Sequence, residues 1–152
     1  MSKDQAIVLK QPLFSRFRIC QESGDPALAG AYLDKDSLYS SLLENVLFIL
    51  ESRNSCHLND NPKDVTYTVV NFGIPDFTVS GGDEFHKQIK FHIERALSVL
   101  ECRLVDISVT TKESSYGIME LRIHANIAQE IYKDFVFFIK IRHSGLVDVE
   151  NT

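Results

Sequence analysis

The chain has 152 residues, enough for one domain that buries about two-thirds of the surface of its unfolded chain. Apolar residues make up 44% and charged residues 24%, as in ordinary globular proteins, and 16 basic against 21 acidic residues give a net charge of −5. The basic residues are scattered, which argues against nucleic acid as a partner because phosphate contacts would dominate such binding.

The start of the chain and its cysteines both favour the cytoplasm. The first residues lead into only five mostly apolar residues, too few for the apolar core of a signal peptide. No apolar stretch approaches the ~20 residues that span a bilayer, so direct membrane insertion is not expected. Cys20, Cys56 and Cys102 are odd in number and widely spaced, which fits reduced thiols better than a disulfide framework.

Residues 1–36 are predicted to form an N-terminal arm, and residues 37–152 a single α+β domain. The arm carries a short apolar patch in a polar context, and a turn-prone segment follows it. Such a patch belongs either to a disordered tail or to a segment that docks onto the domain or onto a partner, and the sequence leaves both open. The residues of this docking patch are Leu13, Phe14 and Phe17.

Two long amphipathic helices are predicted within the domain. In residues 37–53 the apolar side chains recur at spacings of three and four, which produces one broad apolar stripe, and Arg53 in the last turn suits the helix dipole. A second helix begins after Gly81-Gly82, with Asp83 as its N-cap. Its apolar face, which we expect to be buried, consists of Phe85, Ile89, Ile93, Ala96, Leu97 and Leu100.

The segment between the two helices, residues 64–72, has two interpretations. Its alternating β-branched and aromatic residues favour a strand. Pro62 near its start and Gly73 at its end suit a short helix, which we take as the prediction. Ile74-Pro75 then ends whichever element precedes it, because a residue before proline is extended.

After the second helix the apolar period changes to two, which predicts a three-stranded antiparallel meander. In the first strand Val105, Ile107 and Val109 are expected to share the buried face. The second strand, residues 119–127, has one clean apolar face. The third, residues 135–141, is apolar on both faces in its middle, so the first helix or another subunit should cover it. The predicted fold is α+β, with two helices and a short element packed on this meander.

No set of reactive side chains stands out. Among the five histidines, His86 and His92 lie on different faces of the second helix, and no metal-binding spacing occurs. The acidic residues show no pair of the kind that a glycosidase needs. Neither a Gly-x-Ser-x-Gly turn nor a phosphate loop is present. We therefore expect no catalytic residues, no metal and no cofactor.

Glu101 and Arg103 lie where the second helix gives way to the strands. They place opposite charges two residues apart. One interpretation is a solvated helix end with Arg103 near the last carbonyls. The other is a recognition corner in which Arg103 makes a two-pronged contact to a carboxylate of a partner.

Several segments resemble one family. Residues 41–53 resemble its first helix, which ends in a similar Asn-Thr-Arg, and residues 69–77 resemble its Val-Leu-Asn-Tyr-Gly-Leu-Pro-Asp-Leu signature. Residues 93–109 resemble its helix leading into a Glu-Pro-Arg-Leu motif and a strand. The family is the phage baseplate wedge protein once described as lysozyme-like, together with TssE of bacterial type VI secretion. The patch at residues 13–17 is similar to a Ser-Leu-Phe-x-Arg-Leu of TssE proteins, which favours secretion.

The resemblance implies a structural, non-enzymatic subunit of the baseplate wedge beneath a contractile sheath, which helps to start sheath assembly by strand exchange. The implied partners are other wedge subunits and sheath subunits, with multiple copies in a ring-shaped assembly. Glu101, Arg103 and Arg53 are partner-binding residues by this resemblance. Cys102 replaces the family's central proline, which would fix the backbone, so we expect a looser corner or a shifted Arg103.

Two other functions stay open. A stress anti-adaptor, which blocks delivery of a sigma factor to proteolysis, has a similar domain and would bind a response regulator. The apolar arm argues against it. A lysozyme-type hydrolase is the third reading, and the lack of an acid pair and of an export signal argues against it.

Overall fold

In this computed structural model the chain divides into two compact units, residues 1–44 and residues 45–152. Helix α1 (Lys35–Glu51) contains the boundary between them, and its part in the first unit buries Leu38 and Leu42. The structure describes residues 35–77, 82–113, 118–128, 135–142 and 147–149.

The remaining elements of the described residues belong to the second unit. A second helix, α2 (Asp83–Leu100), follows a short 3-10 turn (Pro62–Asp64). The strands are β1 (Arg53–Asn54), β2 (Ile74–Pro75), β3 (Leu104–Glu113), β4 (Ile118–Ile127), β5 (Phe135–Arg142) and β6 (Val147–Val149). Strands β1 and β2 pair in parallel, and β3, β4, β5 and β6 form an antiparallel sheet in that order.

The predicted α+β class is confirmed, but within the described residues the antiparallel sheet has four strands where three were predicted. The fourth, β6, pairs with β5 through Val147 opposite Ile141 and Val149 opposite Ile139. A strand of three residues is too short to give a reliable alternating pattern, so its existence depends on the neighbour with which it pairs. As a consequence β5 lies between two strands.

The bounds of α1 differ from the prediction at both ends. The helix ends at Glu51, so Arg53 belongs to β1 and not to the last helical turn. Its side chain nevertheless reaches back, and Nη1 donates a hydrogen bond to the carbonyl oxygen of Leu50 at 2.6 Å. A cation on a C-terminal carbonyl is the favourable arrangement for a helix dipole, although the residue stands outside the helix.

The short helix predicted for residues 64–72 is wrong. The chain forms the 3-10 turn at Pro62–Asp64, where the side chain of Asn61 accepts a hydrogen bond from the N–H of Lys63 at 3.1 Å. A backbone bridge then joins Thr68 to Asn71 around a turn. Five of the nine residues from 64 to 72 are Val or Thr, and β-branched side chains disfavour helix because their χ1 freedom is restricted there.

Strand β3 contains a β-bulge that overturns part of its predicted alternation. Asp106 has a φ of +52°, and the register with β4 shifts between Val105 and Ser108. Beyond the bulge Val109 is fully buried as predicted, but before it Leu104 is buried while Val105 is 40% exposed. An extra residue on one strand moves the side chains before it to the opposite face.

Helix α2 packs along β3 and buries one face, as predicted, although Leu100 is only half-buried. Its N-cap is Gly82 and not Asp83, since the helix already begins at Asp83. The alternation of β4 is also confirmed. The residues of β4 on the core side are Met119, Leu121, Ile123, Ala125 and Ile127. Neither described helix combines the length and the apolar character that crossing a bilayer requires.

Candidate functional site

The turn from α2 into β3, which we call the α2–β3 corner (residues 101–104), is held by backbone hydrogen bonds. The N–H of Glu101 donates to the carbonyl oxygen of Leu97 at 3.0 Å and closes the last turn of α2. The N–H of Leu104 donates to the carbonyl oxygen of Glu101 at 3.1 Å. The carbonyl oxygen of Arg103 accepts from the N–H of Ala128 at 2.8 Å, which attaches the corner to the end of β4.

Glu101 and Arg103 form a buried ion pair inside this corner. The carboxylate accepts from Arg103 Nε at 2.7 Å and from Arg103 Nη2 at 2.5 Å, so two parallel charge-assisted bonds join the side chains. Glu101 Oε1 also accepts from the backbone N–H of Arg103 at 3.1 Å. The Glu101 side chain is 2% exposed and that of Arg103 is 9% exposed. Arg103 therefore binds a carboxylate of its own chain, that of Glu101.

Asn45 of α1 is a third member of this cluster that the sequence analysis missed. Its Nδ2 donates to Glu101 Oε2 at 2.7 Å, across 56 residues of sequence. A polar residue flanked by the apolar positions of an amphipathic helix was the available signal, but no pattern shows which distant group it meets. The hydrogen bond ties the end of α2 to α1.

Two substitutions of Asn45 distinguish how much stability comes from its hydrogen bond and how much comes from its lack of charge. Asn45→Ala removes one donor to a buried carboxylate, and we expect a loss of about 1–3 kcal/mol in the free energy of unfolding. Asn45→Asp has the same shape but places a second carboxylate against Glu101, so at neutral pH we expect a larger loss. Urea unfolding of both variants at pH 7 tests this order, and an Asp variant as stable as the Ala variant would contradict it.

Arg53 is positioned beside the segment that resembles the family signature. Its Nε lies 3.8 Å from Asp76, and its guanidinium carbon lies 5.4 Å from the ring centre of Phe77. Partial burial lowers the pKa of Arg53, while Asp76 and Glu51 oppose that shift. Asp76 is 89% exposed, so this ion pair is worth at most about 1 kcal/mol.

Gly73 is required by the close approach of two backbones. Its φ is +94°, and a Cβ at this position would lie 2.3 Å from the carbonyl oxygen of Ser52. The same oxygen accepts from the N–H of Ile74 at 3.1 Å, and the side chain of Asn54 donates to the carbonyl oxygen of Gly73 at 3.0 Å. Within the signature-like segment, Gly73 therefore serves the pairing of β1 with β2.

Asn71 closes the loop that precedes this pairing. Its Oδ1 accepts from the N–H and the hydroxyl of Ser55, at 3.0 and 3.1 Å, and its Nδ2 donates to the carbonyl oxygen of Thr66 at 2.7 Å. Val69 and Val70, at the tip of the turn, are 98% and 92% exposed. The signature-like segment therefore has a structural part, Asn71 and Gly73, and an outward-facing part.

His92 of α2 is completely buried, and its Nε2 lies 3.0 Å from the carbonyl oxygen of Leu58, which fits a neutral ring protonated at Nε2. Burial lowers the pKa of His92 below its ordinary value of 6.5, and hydrogen bonding to backbone groups of Leu58 and Asp60 opposes this only in part. His92 is therefore part of the interior of the domain.

Acidification should destabilise the protein through His92. As the pH falls below 6.5 the unfolded chain binds the proton first, so the free energy of unfolding decreases with a slope of up to about 1.4 kcal/mol per pH unit until the folded-state pKa is reached. Urea unfolding between pH 7 and pH 5 should show this slope in the wild type and less of it in His92→Gln. His57→Gln, at an exposed position, is the control and should keep the wild-type slope. Equal slopes in all three proteins would contradict the prediction.

Another polar group inside the domain is the hydroxyl of Tyr67. Burial raises the pKa of Tyr67 to about 12, and the nearby charge of Arg95 opposes this shift.

Within the described ranges no three His, Cys, Asp or Glu side chains gather closely enough to hold a metal ion. The α2–β3 corner is suited to holding elements in place, because the Asn45 amide and the Arg103 guanidinium both bind the carboxylate of Glu101.

The predicted site residues are only partly brought together. Glu101 and Arg103 bind each other, whereas Arg53 belongs to the neighbouring β1–β2 pairing. Leu13, Phe14 and Phe17 of the docking patch lie outside the described residues. In comparisons with known proteins, no family model matches this chain and no curated protein matches it significantly.

Proposed function

We propose that this chain is a non-enzymatic structural subunit of the baseplate wedge in a phage-tail-like contractile apparatus, similar to TssE of type VI secretion. In this proposal it anchors the sheath and helps to start sheath assembly. Its partners are other wedge subunits and sheath subunits, and it acts from the cytoplasm in multiple copies within a ring.

The observation that carries this proposal is the connection between the three segments that resemble the family. The first segment meets the third through Asn45 and Glu101, whose side chains are 2.7 Å apart. It meets the second through Asn54, just beyond its end, which donates to the carbonyl oxygen of Gly73 at 3.0 Å. Segments that resemble one family in order along the chain are thus also joined in space, which supports reading them as one inherited unit.

The geometry of the corner refines the role that the resemblance implies for Glu101 and Arg103. The two side chains form a buried ion pair, whereas Cys102, which lies between them in the sequence, is exposed. We propose that Glu101 and Arg103 fix the shape of the α2–β3 corner, and that the partner contacts the surface at Cys102. The family's proline would stand at this exposed position.

Purification of the tagged full chain from its own cells, followed by mass spectrometry of bound proteins, tests the proposal. We expect wedge and sheath subunits to be recovered with the wild type and to be lost with Cys102→Gln, which adds bulk without touching the ion pair. Lys87→Gln, at an exposed position of α2, is the matched control and should retain them. Unchanged melting temperatures would show that both variants are folded.

Other outcomes point to other functions. A response regulator recovered as the sole partner would replace the proposal with the anti-adaptor reading. Recovery of the chain alone would contradict a role in assembly. Release of soluble fragments from purified peptidoglycan by the tagged protein would contradict the non-enzymatic assignment.

A further inference from the structure

A groove of about 460 Å³ lies between helix α2 and the first residues of β3. This volume falls within the range of about 300–1,000 Å³ that is typical of small-molecule sites in proteins. Its polar lining consists of Glu94, Arg95 and Ser98 of α2 and Asp106 of β3. The assembly role proposed above uses none of these four side chains, so a ligand in this groove would serve a further function.

The β-bulge of β3 forms one wall of the groove. Asp106 lies in this wall with a φ of +52°, and left-handed backbone at a residue other than glycine is a form of strain that is concentrated at functional sites. The bulge leaves Val105 40% exposed, beside the buried Leu104. Together with the half-buried Ile107, these residues give the groove an apolar wall. A ligand therefore meets apolar surface as well as charged groups.

Arg95 is the cation of this groove, and it is half-buried. Its Nε is fully buried and has no hydrogen-bond acceptor among the described residues. Within the same part of the chain no carboxylate forms an ion pair with it. Buried donors without a partner are rare in folded proteins, and charges that are taken out of water are normally paired. The position of Arg95 therefore suits an anionic group of a ligand.

A second donor near Arg95 is in the same condition. The hydroxyl of Tyr67 is buried, and no described residue forms a hydrogen bond with it. Burial raises the pKa of Tyr67 to about 12, with the charge of Arg95 near enough to oppose the shift, so the hydroxyl keeps its proton at neutral pH and can donate it. One carboxylate can accept from both the Tyr67 hydroxyl and Arg95 Nε.

The two acidic residues of the groove supply charge of the opposite sign. Oε1 of Glu94 accepts from the N–H of Val109 at 2.9 Å and lies 3.8 Å from Lys90 Nζ. Oδ2 of Asp106 accepts from Asn126 Nδ2 at 3.2 Å. These contacts use one oxygen of each carboxylate, so the other oxygen can accept from an ammonium group of a ligand. A purely anionic ligand would leave this side of the groove unmatched.

We propose that this groove binds a free α-amino acid with an apolar side chain. The carboxylate of the ligand accepts from Arg95 Nε and from the hydroxyl of Tyr67. Its ammonium group donates to Glu94 or Asp106, and its side chain lies against Val105. Charge complementarity carries this choice, because a zwitterion with an apolar body matches a cation, two carboxylates and an apolar wall together. The site goes beyond the proposed assembly function and does not depend on it.

Isothermal titration calorimetry of the full-length protein with L-leucine and with L-phenylalanine measures this binding. Two analogues of leucine test its two charges separately, because N-acetyl-L-leucine has no ammonium group and L-leucinamide has no carboxylate. We expect each analogue to bind at least about tenfold more weakly than leucine, since a site that hydrogen-bonds a group rejects ligands that lack it.

Substitutions then locate the site on the molecule. Arg95→Gln removes the cation of the groove and should weaken leucine binding by at least about tenfold. Tyr67→Phe removes one donor and should weaken it by about three- to tenfold. Arg122→Gln is the matched control, because Arg122 is an exposed arginine of β4 outside the groove, and its affinity should stay within about twofold of the wild type.

Circular dichroism with thermal melting checks that each variant is folded. Val105→Asp, at an exposed position, is the second variant if Arg95→Gln fails to fold. It places a third carboxylate on the apolar wall and should also weaken leucine binding by at least about tenfold.

Each outcome supports or overturns the inference. Failure of both amino acids to bind would overturn it and leave the proposed assembly function standing. Binding of either analogue as tightly as leucine would overturn the recognition of a zwitterion, because one of the two charges would then be ignored. Equal losses in Arg95→Gln and Arg122→Gln would overturn the assignment to this groove, since the change in net charge alone would explain them.

Discussion

Arg103→Ala is expected to lower the free energy of unfolding by about 3–5 kcal/mol, the largest effect among the substitutions considered for this protein. The variant leaves the Glu101 carboxylate, whose side chain is 2% exposed, without the guanidinium that neutralises it. Asn45 and the backbone N–H of Arg103 still donate to that carboxylate, but neither carries a charge. Urea unfolding at pH 7, followed by circular dichroism, measures the effect.

Arg142→Ala is the matched control because it removes an arginine from a comparable but exposed ion pair. Arg142 Nε lies 2.7 Å from Asp148, with side chains 58% and 50% exposed, so the loss should stay below about 1 kcal/mol. Equal, small losses in both variants would show that the corner is solvated in solution and that the buried pair is not a source of stability.

The burial of this pair changes how an assembly defect at Arg103 is interpreted. A variant that loses several kcal/mol has less folded protein available, so a failure to assemble would not by itself identify Arg103 as a contact residue. The exposed Cys102 is better suited to that question, because a substitution there leaves the ion pair in place.

Gly73→Ala is expected to be the second most damaging substitution. A non-glycine residue at a φ of +94° costs about 1–3 kcal/mol in backbone strain alone. The new Cβ would also lie 2.3 Å from the carbonyl oxygen of Ser52, which is a backbone atom and cannot move without disturbing the pairing of β1 with β2. We therefore expect a total loss above the strain term, measured by the same urea unfolding.

Gly82→Ala separates the two contributions. Gly82 also has a positive φ, +145°, but no described atom lies within 4 Å of a Cβ placed there. The difference between the two variants reports the cost of the contact with Ser52. If Gly82→Ala proved as damaging as Gly73→Ala, the close backbone approach would contribute nothing, and the role assigned to Gly73 would be wrong.

The elements that were predicted correctly are those in which one apolar period continues over many residues. In α2, apolar residues recur every three or four positions from Phe85 to Leu97. In β4, buried apolar residues alternate with more exposed ones from Met119 to Ile127. Such a pattern can bury its apolar side chains in only one secondary structure, so it determines the element before any neighbour is known.

The predictions that were wrong concern segments in which a single residue has a conformation or a contact that the sequence pattern does not reveal. In β3 a single residue with a positive φ, Asp106, shifted the register and exposed Val105. At residues 64–72 the flanking Pro62 and Gly73 suggested a helix, although the glycine is there because its backbone meets Ser52. The reason for such a glycine lies in a segment that is distant in sequence, so propensity alone assigns it wrongly.

The sequence by itself therefore determined the α+β class, the buried face of α2, the alternation of β4 and the location of the charged corner at residues 101–103. Only the tertiary structure decided that Glu101 and Arg103 form a buried ion pair, that Asn45 binds the same carboxylate and that a fourth strand pairs with β5. The physical reason is that periodicity is a property of neighbours along the chain, whereas the pairing of a charge or of a short strand depends on groups that only folding brings together.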